Sequence, residues 1–129
     1  VVLSRGLGDV YKRQGQWEMN NANKITATLI TEHPEIRGVL ASNDSMAMGA
    51  VAAIKAAGRV DDIKVVGFDN ISAIQTAIKE GTVLATADQY GNQLAVYGIE
   101  YALEMLGDQN AELADKETPV DLVTLESLR

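Results

Sequence analysis

The sequence predicts an α/β protein built on a doubly wound parallel sheet, and three observations predict it. Short apolar runs at 37–41, 63–68 and 82–87 are rich in Val, Ile and other strand formers, and polar residues follow each of them. The segments between these runs carry apolar residues at helical spacing and close on glycine. The resulting order, α, β, α, β, α, β, α, β, belongs to a layered α/β sheet with right-handed crossovers. With 129 residues the chain is long enough for one core.

Residues 1–14, VVLSRGLGDVYKRQ, hold three basic residues against one acid and show no sustained period. They are similar to a recurrent non-native scar, SRGLGDVYKRQ, and are expected to form a non-native or unstructured leader outside the fold. The first helix is expected within 16–33, where Ile25, Leu29 and Ile30 share a face and Pro34 ends the run. Trp17, the single tryptophan, lies just before it. Its plain role is packing on the sheet, and its sharper role is stacking on a ligand.

The stretch 38–70 reads as strand, helix, strand. Ser42, Asn43 and Asp44 follow the first apolar run and are N-cap residues, with Asp44 expected to cap in either reading. The helix 46–57 is almost entirely Ala, Met, Val and Ile and stops at Gly58. The second run ends in Asp69-Asn70. Ile71, Ile74, Ala77 and Ile78 then form one helical face closed by Gly81, and the third run ends in Asp88-Gln89-Tyr90-Gly91. A helix over 92–106 places Leu94, Gly98, Tyr101, Ala102 and Met105 on one side. A polar connector, 108–117, leads to a last strand at 120–125.

Composition removes several classes of function. The net charge of −7 leaves no basic face for nucleic acid, and no run of 18 apolar residues would insert in a membrane. The absence of Cys removes disulfides, thiolate metal sites and Cys nucleophiles together. Ser45 has an acidic neighbour but no base, because the single histidine, His33, sits before Pro34 at a helix end. No catalytic residue, metal-ligand set or cofactor site is therefore expected, and the chain is not read as an enzyme. A metal would need Asp44, Asp69 and Asp88 to close on one point, and they lack the spacing of any known loop.

In a parallel sheet ligands bind at the carboxyl ends of the strands. Asn43, Asp69 and Gln89 end three successive strands and Trp17 precedes the first helix, so all four are candidates for one ligand-binding mouth. A carboxylate, two carboxamides and an indole suit a neutral polyol: the carboxylate accepts hydroxyl protons, the amides donate and accept, and the ring covers C–H faces. Each residue also has a local role available. Asn43 and Asp69 could cap the helices that follow them, and Gln89 could be a solvated turn residue.

At ASNDSMAMGAVAAIKAAG, IKVVGFDN and IKEGTVLATADQ the chain resembles the carboxy-terminal part of a periplasmic sugar-binding protein, in the ribose-binding group of the type I family that feeds ABC importers. The likeness covers about residues 15–126. It implies that Asn43, Asp69 and Gln89 hydrogen-bond a monosaccharide, a pentose or hexose, and that Trp17 stacks on it. Further implications are a periplasmic location, a membrane permease as partner, no nucleic acid, and hinge closure between two lobes.

The resemblance also implies a division of the chain. Residues 15–89 and 118–129 would form the carboxy-terminal sugar-binding lobe, and 90–117 would cross to an amino-terminal lobe mostly missing here. The 92–106 helix would then be under-buried at Leu94, Tyr101 and Met105, and this chain alone would bind sugar weakly. The rival resemblance is to the effector domain of a lactose-repressor-like regulator. That group commonly has Pro near Asp61-Asp62 and Leu-Thr-Thr where Val83-Leu84-Ala85-Thr86 stands, and this chain has neither.

Overall fold

Eight elements alternate along the chain: α1 (Met19–Glu32), β1 (Gly38–Leu40), α2 (Asp44–Ala56), β2 (Lys64–Phe68), α3 (Ser72–Lys79), β3 (Ala85–Asp88), α4 (Gly91–Gly107) and β4 (Asp121–Thr124). The computed structural model describes residues 11–108 and 110–129, so the leader expected over 1–14 lies mostly outside the described residues. Of its described part, Tyr11 packs against the core, stacks on His33 with ring centroids 3.5 Å apart, and donates a hydrogen bond to Glu35 Oε1 at 3.0 Å.

The sheet order is β1-β2-β3-β4. Strands β1, β2 and β3 run parallel, as they must when each connection carries a helix back to the starting end. The fold class is the α/β class expected, with one difference in the last strand. β4 runs antiparallel to β3, pairing Asp121 with Asp88 and Thr124 with Ala85. The chain leaves the sheet at the end of β3 and returns at that same end, where Thr118 Oγ1 donates to Gln89 O at 2.8 Å. A strand starting there can run only back along β3.

One continuous core joins the helices to the sheet. Leu29 of α1, Ile54 of α2, and Ile74 and Ile78 of α3 pack with Val39 of β1 and Val65 of β2. Helix α2 is the hub, lying against β1, β2, α1 and α3. Its abundant Ala and single Gly serve close approach rather than propensity. A Cβ at Gly49 would fall 2.1 Å from Met19 O, which is backbone and cannot swing aside, and Asn23 Nδ2 donates to Gly49 O at 3.2 Å across the same contact. Gly49→Ala should therefore force α1 and α2 apart and cost about 1–3 kcal/mol of stability, read as a lowered urea midpoint.

Helix α4 differs from the other three in burying no residue. On the face singled out from the sequence, Leu94 is 39% and Met105 52% exposed, while Tyr101 is half-buried. A second stripe, Val96, Ile99, Leu103 and Leu106, is more open still, reaching 82% at Leu106. The connector lies along this helix: Lys116 Nζ sits 2.8 Å from Glu100 Oε2 and 4.8 Å from the centroids of both Tyr97 and Tyr101. No described helix is long and apolar enough to cross a membrane.

Candidate ligand-binding site

Parallel pairing in register brings the ends of β1, β2 and β3 to one edge of the sheet. Asp69 directly follows β2 and Gln89 directly follows β3, and their side chains meet: Gln89 Nε2 donates to Asp69 Oδ1 at 2.8 Å. The carboxylate keeps its other oxygen for a further donor. Asp69 does not fill the capping role open to it in the sequence. The N-cap of α3 is Ile71, so Asp69 does not cap that helix, and its φ of 114° turns the chain sharply out of the strand.

Asn43 does cap. Its Oδ1 accepts from the Met46 N–H at 2.8 Å, satisfying one of the free donors at the start of α2. Its Nδ2 reaches Trp17 O at 3.5 Å, so Asn43 and Trp17 are tied backbone to side chain. Trp17 is not packed on the sheet. It stands 67% exposed, on a left-handed backbone with φ of 63°. A shallow concavity beside it is lined by Gly15, Trp17, Ser42 and Met46. The four candidates thus stand as two joined pairs, Asp69 with Gln89 and Asn43 with Trp17.

Asp44 is not the cap of α2; Asn43 is. The sequence suggested a cap, but Asp44 is the first residue of α2 and is wholly buried. Its Oδ1 accepts from Thr86 Oγ1 at 2.7 Å and its Oδ2 from the Ile71 N–H at 3.0 Å. One carboxylate therefore ties the start of α2 to β3 and to the entry of α3. Burial pushes its pKa above the usual Asp value; the hydrogen bonds from Thr86 and Ile71 oppose that rise, and the nearby charge of Asp69 adds to it. Gly67, the register partner of Thr86, makes room for it: a Cβ there would lie 2.1 Å from Asp44 Oδ1.

A further signal lies in the backbone. The described non-glycine residues with positive φ are Gln16, Trp17, Asp69, Asn70 and Tyr90. All flank this edge, before α1 or just after β2 and β3. Such conformations are costly for bulky side chains and gather at sites where the surroundings hold them for a purpose.

The family model that describes a periplasmic binding protein domain matches residues 4–110. The chain belongs to the periplasmic binding protein family. This periplasmic binding protein chain is 48% identical over 122 residues to the D-ribose/D-allose-binding protein of Pseudomonas aeruginosa, covering 92% of this chain and 38% of the relative. Its fold matches an ABC transporter solute-binding protein from Burkholderia multivorans with a TM-score of 0.78 and 45% identity, over 85% of this chain and 39% of the other. It also matches a solute-binding protein from Actinobacillus succinogenes with bound D-allose, with a TM-score of 0.79 and 30% identity, over 88% and 40% of the two chains. The chain spans less than half the length of these relatives.

In this periplasmic binding protein chain the mouth holds more than the sequence named. Asp88, weighed in the sequence only as a metal ligand, accepts a hydrogen bond from Asn70 Nδ2 at 2.8 Å. Tyr90 donates its hydroxyl to Asp121 Oδ2, and that bond pushes the phenol pKa above its ordinary value. Adjacent polar residues at two neighbouring strand ends were the available signal. Among the described residues, no group of three or more His, Asp or Glu is placed to hold a metal ion.

Proposed function

We propose that this chain is part of the solute-binding component of an ABC sugar importer and holds a monosaccharide, a pentose or hexose, at the mouth described above. The observation that carries the reading is the Asp69–Gln89 pair at two adjacent strand ends, 2.8 Å apart, on the edge where Trp17 stands exposed. The Asp69 carboxylate offers its second oxygen to sugar hydroxyls, while Gln89 and Asn43 offer amide donors and acceptors. Trp17 covers the apolar C–H face of the ring. The identities to proteins named for ribose and allose support a sugar as ligand.

In this reading residues 15–89 and 118–129 form one lobe, and 90–117, with its exposed apolar helix α4, crosses to a second lobe. Sugar contacts from both sides then hold a hinged closed form that a membrane permease reads, and the protein works in the periplasm. The chain carries out no chemistry of its own; it binds and releases.

The test uses the open reading frame that encodes this chain, expressed in full, titrated with D-ribose and D-allose by calorimetry and by tryptophan fluorescence. Saturable binding of either sugar with a change in tryptophan emission is expected, and Trp17→Ala should diminish the emission change and bind on the order of tenfold more weakly, about 1.4 kcal/mol. Absence of heat and of an emission change with these two sugars and with every other member of a panel of common pentoses and hexoses would refute the reading.

A further inference from the structure

Behind the Asp69–Gln89 pair stands a second layer of hydrogen bonds. Asp88, the last residue of β3, accepts from Asn70 Nδ2 through Oδ2 at 2.8 Å and from the Tyr90 N–H through Oδ1 at 2.8 Å. Asn70 Oδ1 in turn accepts from Gln75 Nε2 of α3 at 3.0 Å. A single carboxylate therefore grips the residue that follows Asp69 and the residue that follows Gln89. Both gripped residues are left-handed, with φ of 60° at Asn70 and 56° at Tyr90. A Tyr holds that conformation only when something outside its own backbone secures it.

We propose that Asp88 is the positioning residue of the mouth, fixing the left-handed turns after β2 and β3 so that the Asp69 carboxylate and the Gln89 carboxamide face one sugar together. This rests on the sugar-binding reading above. Both oxygens of Asp88 already hold donors from the two turns, which gives it an orienting part in the mouth. Without the clamp the two turns relax independently, and the pair must be reassembled each time a sugar binds. The cost then falls on affinity.

The donor and acceptor pattern permits a test that separates positioning from general damage. Asp88→Ala removes both acceptors. Exchanging the two side chains, Asp88→Asn together with Asn70→Asp, restores all three bonds. The new carboxamide donates to the new carboxylate and still accepts from the Tyr90 N–H, and the carboxylate accepts from Gln75 Nε2. Each single substitution faces donor to donor or acceptor to acceptor.

The full-length protein that contains this chain is titrated with D-ribose and D-allose by calorimetry. Asp88→Ala and each single exchange should bind on the order of tenfold more weakly, the equivalent of one charge-assisted hydrogen bond, and the double exchange should recover most of the affinity. Thermal midpoints measured without sugar show whether any loss merely follows unfolding. Unchanged affinity in Asp88→Ala, or no recovery in a folded double exchange, overturns the inference while leaving sugar binding intact. Failure of the unsubstituted protein to bind these two sugars or any other of a panel of common pentoses and hexoses removes the functional reading and this inference with it.

Discussion

Asp44→Ala should cost about 2–4 kcal/mol of folding stability, a large share of the roughly 5–15 kcal/mol that holds a domain of this size together. The substitution removes the acceptor from the Thr86 hydroxyl, which is itself wholly buried, and from the Ile71 N–H at the entry of α3. Relief of a buried charge returns part of the loss, which keeps the figure below the sum of two broken charge-assisted bonds. Asp44→Asn should lose far less. A carboxamide can accept from Ile71 with its oxygen and donate to Thr86, whose hydroxyl rotates to accept.

The two variants also separate in pH. Because burial raises the Asp44 pKa above 3.8, the folded chain holds this proton more tightly than the unfolded chain does. The contribution to stability is fully present below the unfolded pKa and declines as pH rises through the folded one. Urea unfolding over that acid range should show this decline in the parent and no such component in Asp44→Asn. Equal pH slopes in the two proteins would show that Asp44 is not the group responsible.

On the proposed sugar-binding reading, Asp69→Ala should weaken binding of the sugar on the order of a hundredfold, about 3 kcal/mol. The carboxylate is the only charged member of the four candidates and the partner that orients Gln89. Its removal takes away the acceptor that the proposed site offers to sugar hydroxyls and leaves the Gln89 amide unanchored. Folding should be little affected, since Asp69 is exposed and does not cap α3. Calorimetry on the full-length protein beside its thermal midpoint checks both halves: a stable variant that binds like the parent would remove Asp69 from the site.

The local parts of the structure were the parts legible in the sequence. Asn43 caps α2 as a cap residue before an apolar helix should, Gly58 and Gly81 close helices with φ of 66° and 78°, and three β-rich runs form the three parallel strands. Asp44 was misread because its partner Thr86 lies 42 residues away, and nothing in an Asn-Asp pair separates a cap from a buried tie. The direction of β4 was hidden for a similar reason. It depends on where the chain re-enters after α4, which Thr118 and Gln89 fix by a contact 29 residues long.

The mouth was legible as a list of strand ends and not as a geometry. Asp69 and Gln89 could be named from position alone, but their direct bond depends on the register of β2 against β3. The left-handed backbone at Trp17 and Tyr90 runs against the preference of bulky residues, so no propensity points to it. The Asp88–Asn70 clamp escaped because each residue has an ordinary turn role when read singly. On α4 the stripe through Val96, Ile99, Leu103 and Leu106 has the same helical spacing as the Leu94 face, so spacing alone could not say which of the two stands more open.

The gathering of left-handed residues at one edge has a consequence for laboratory evolution. Glycine at Trp17, Asp69 or Tyr90 would relieve backbone tension, and a selection scored only on heat resistance would favour such changes. Each exchange would erase a side chain from the mouth while the core of α1, α2, α3 and the sheet stayed untouched. If the proposed site holds, a library screened that way would converge on heat-resistant proteins stripped of it, so any thermal screen of this scaffold needs a recognition readout beside it.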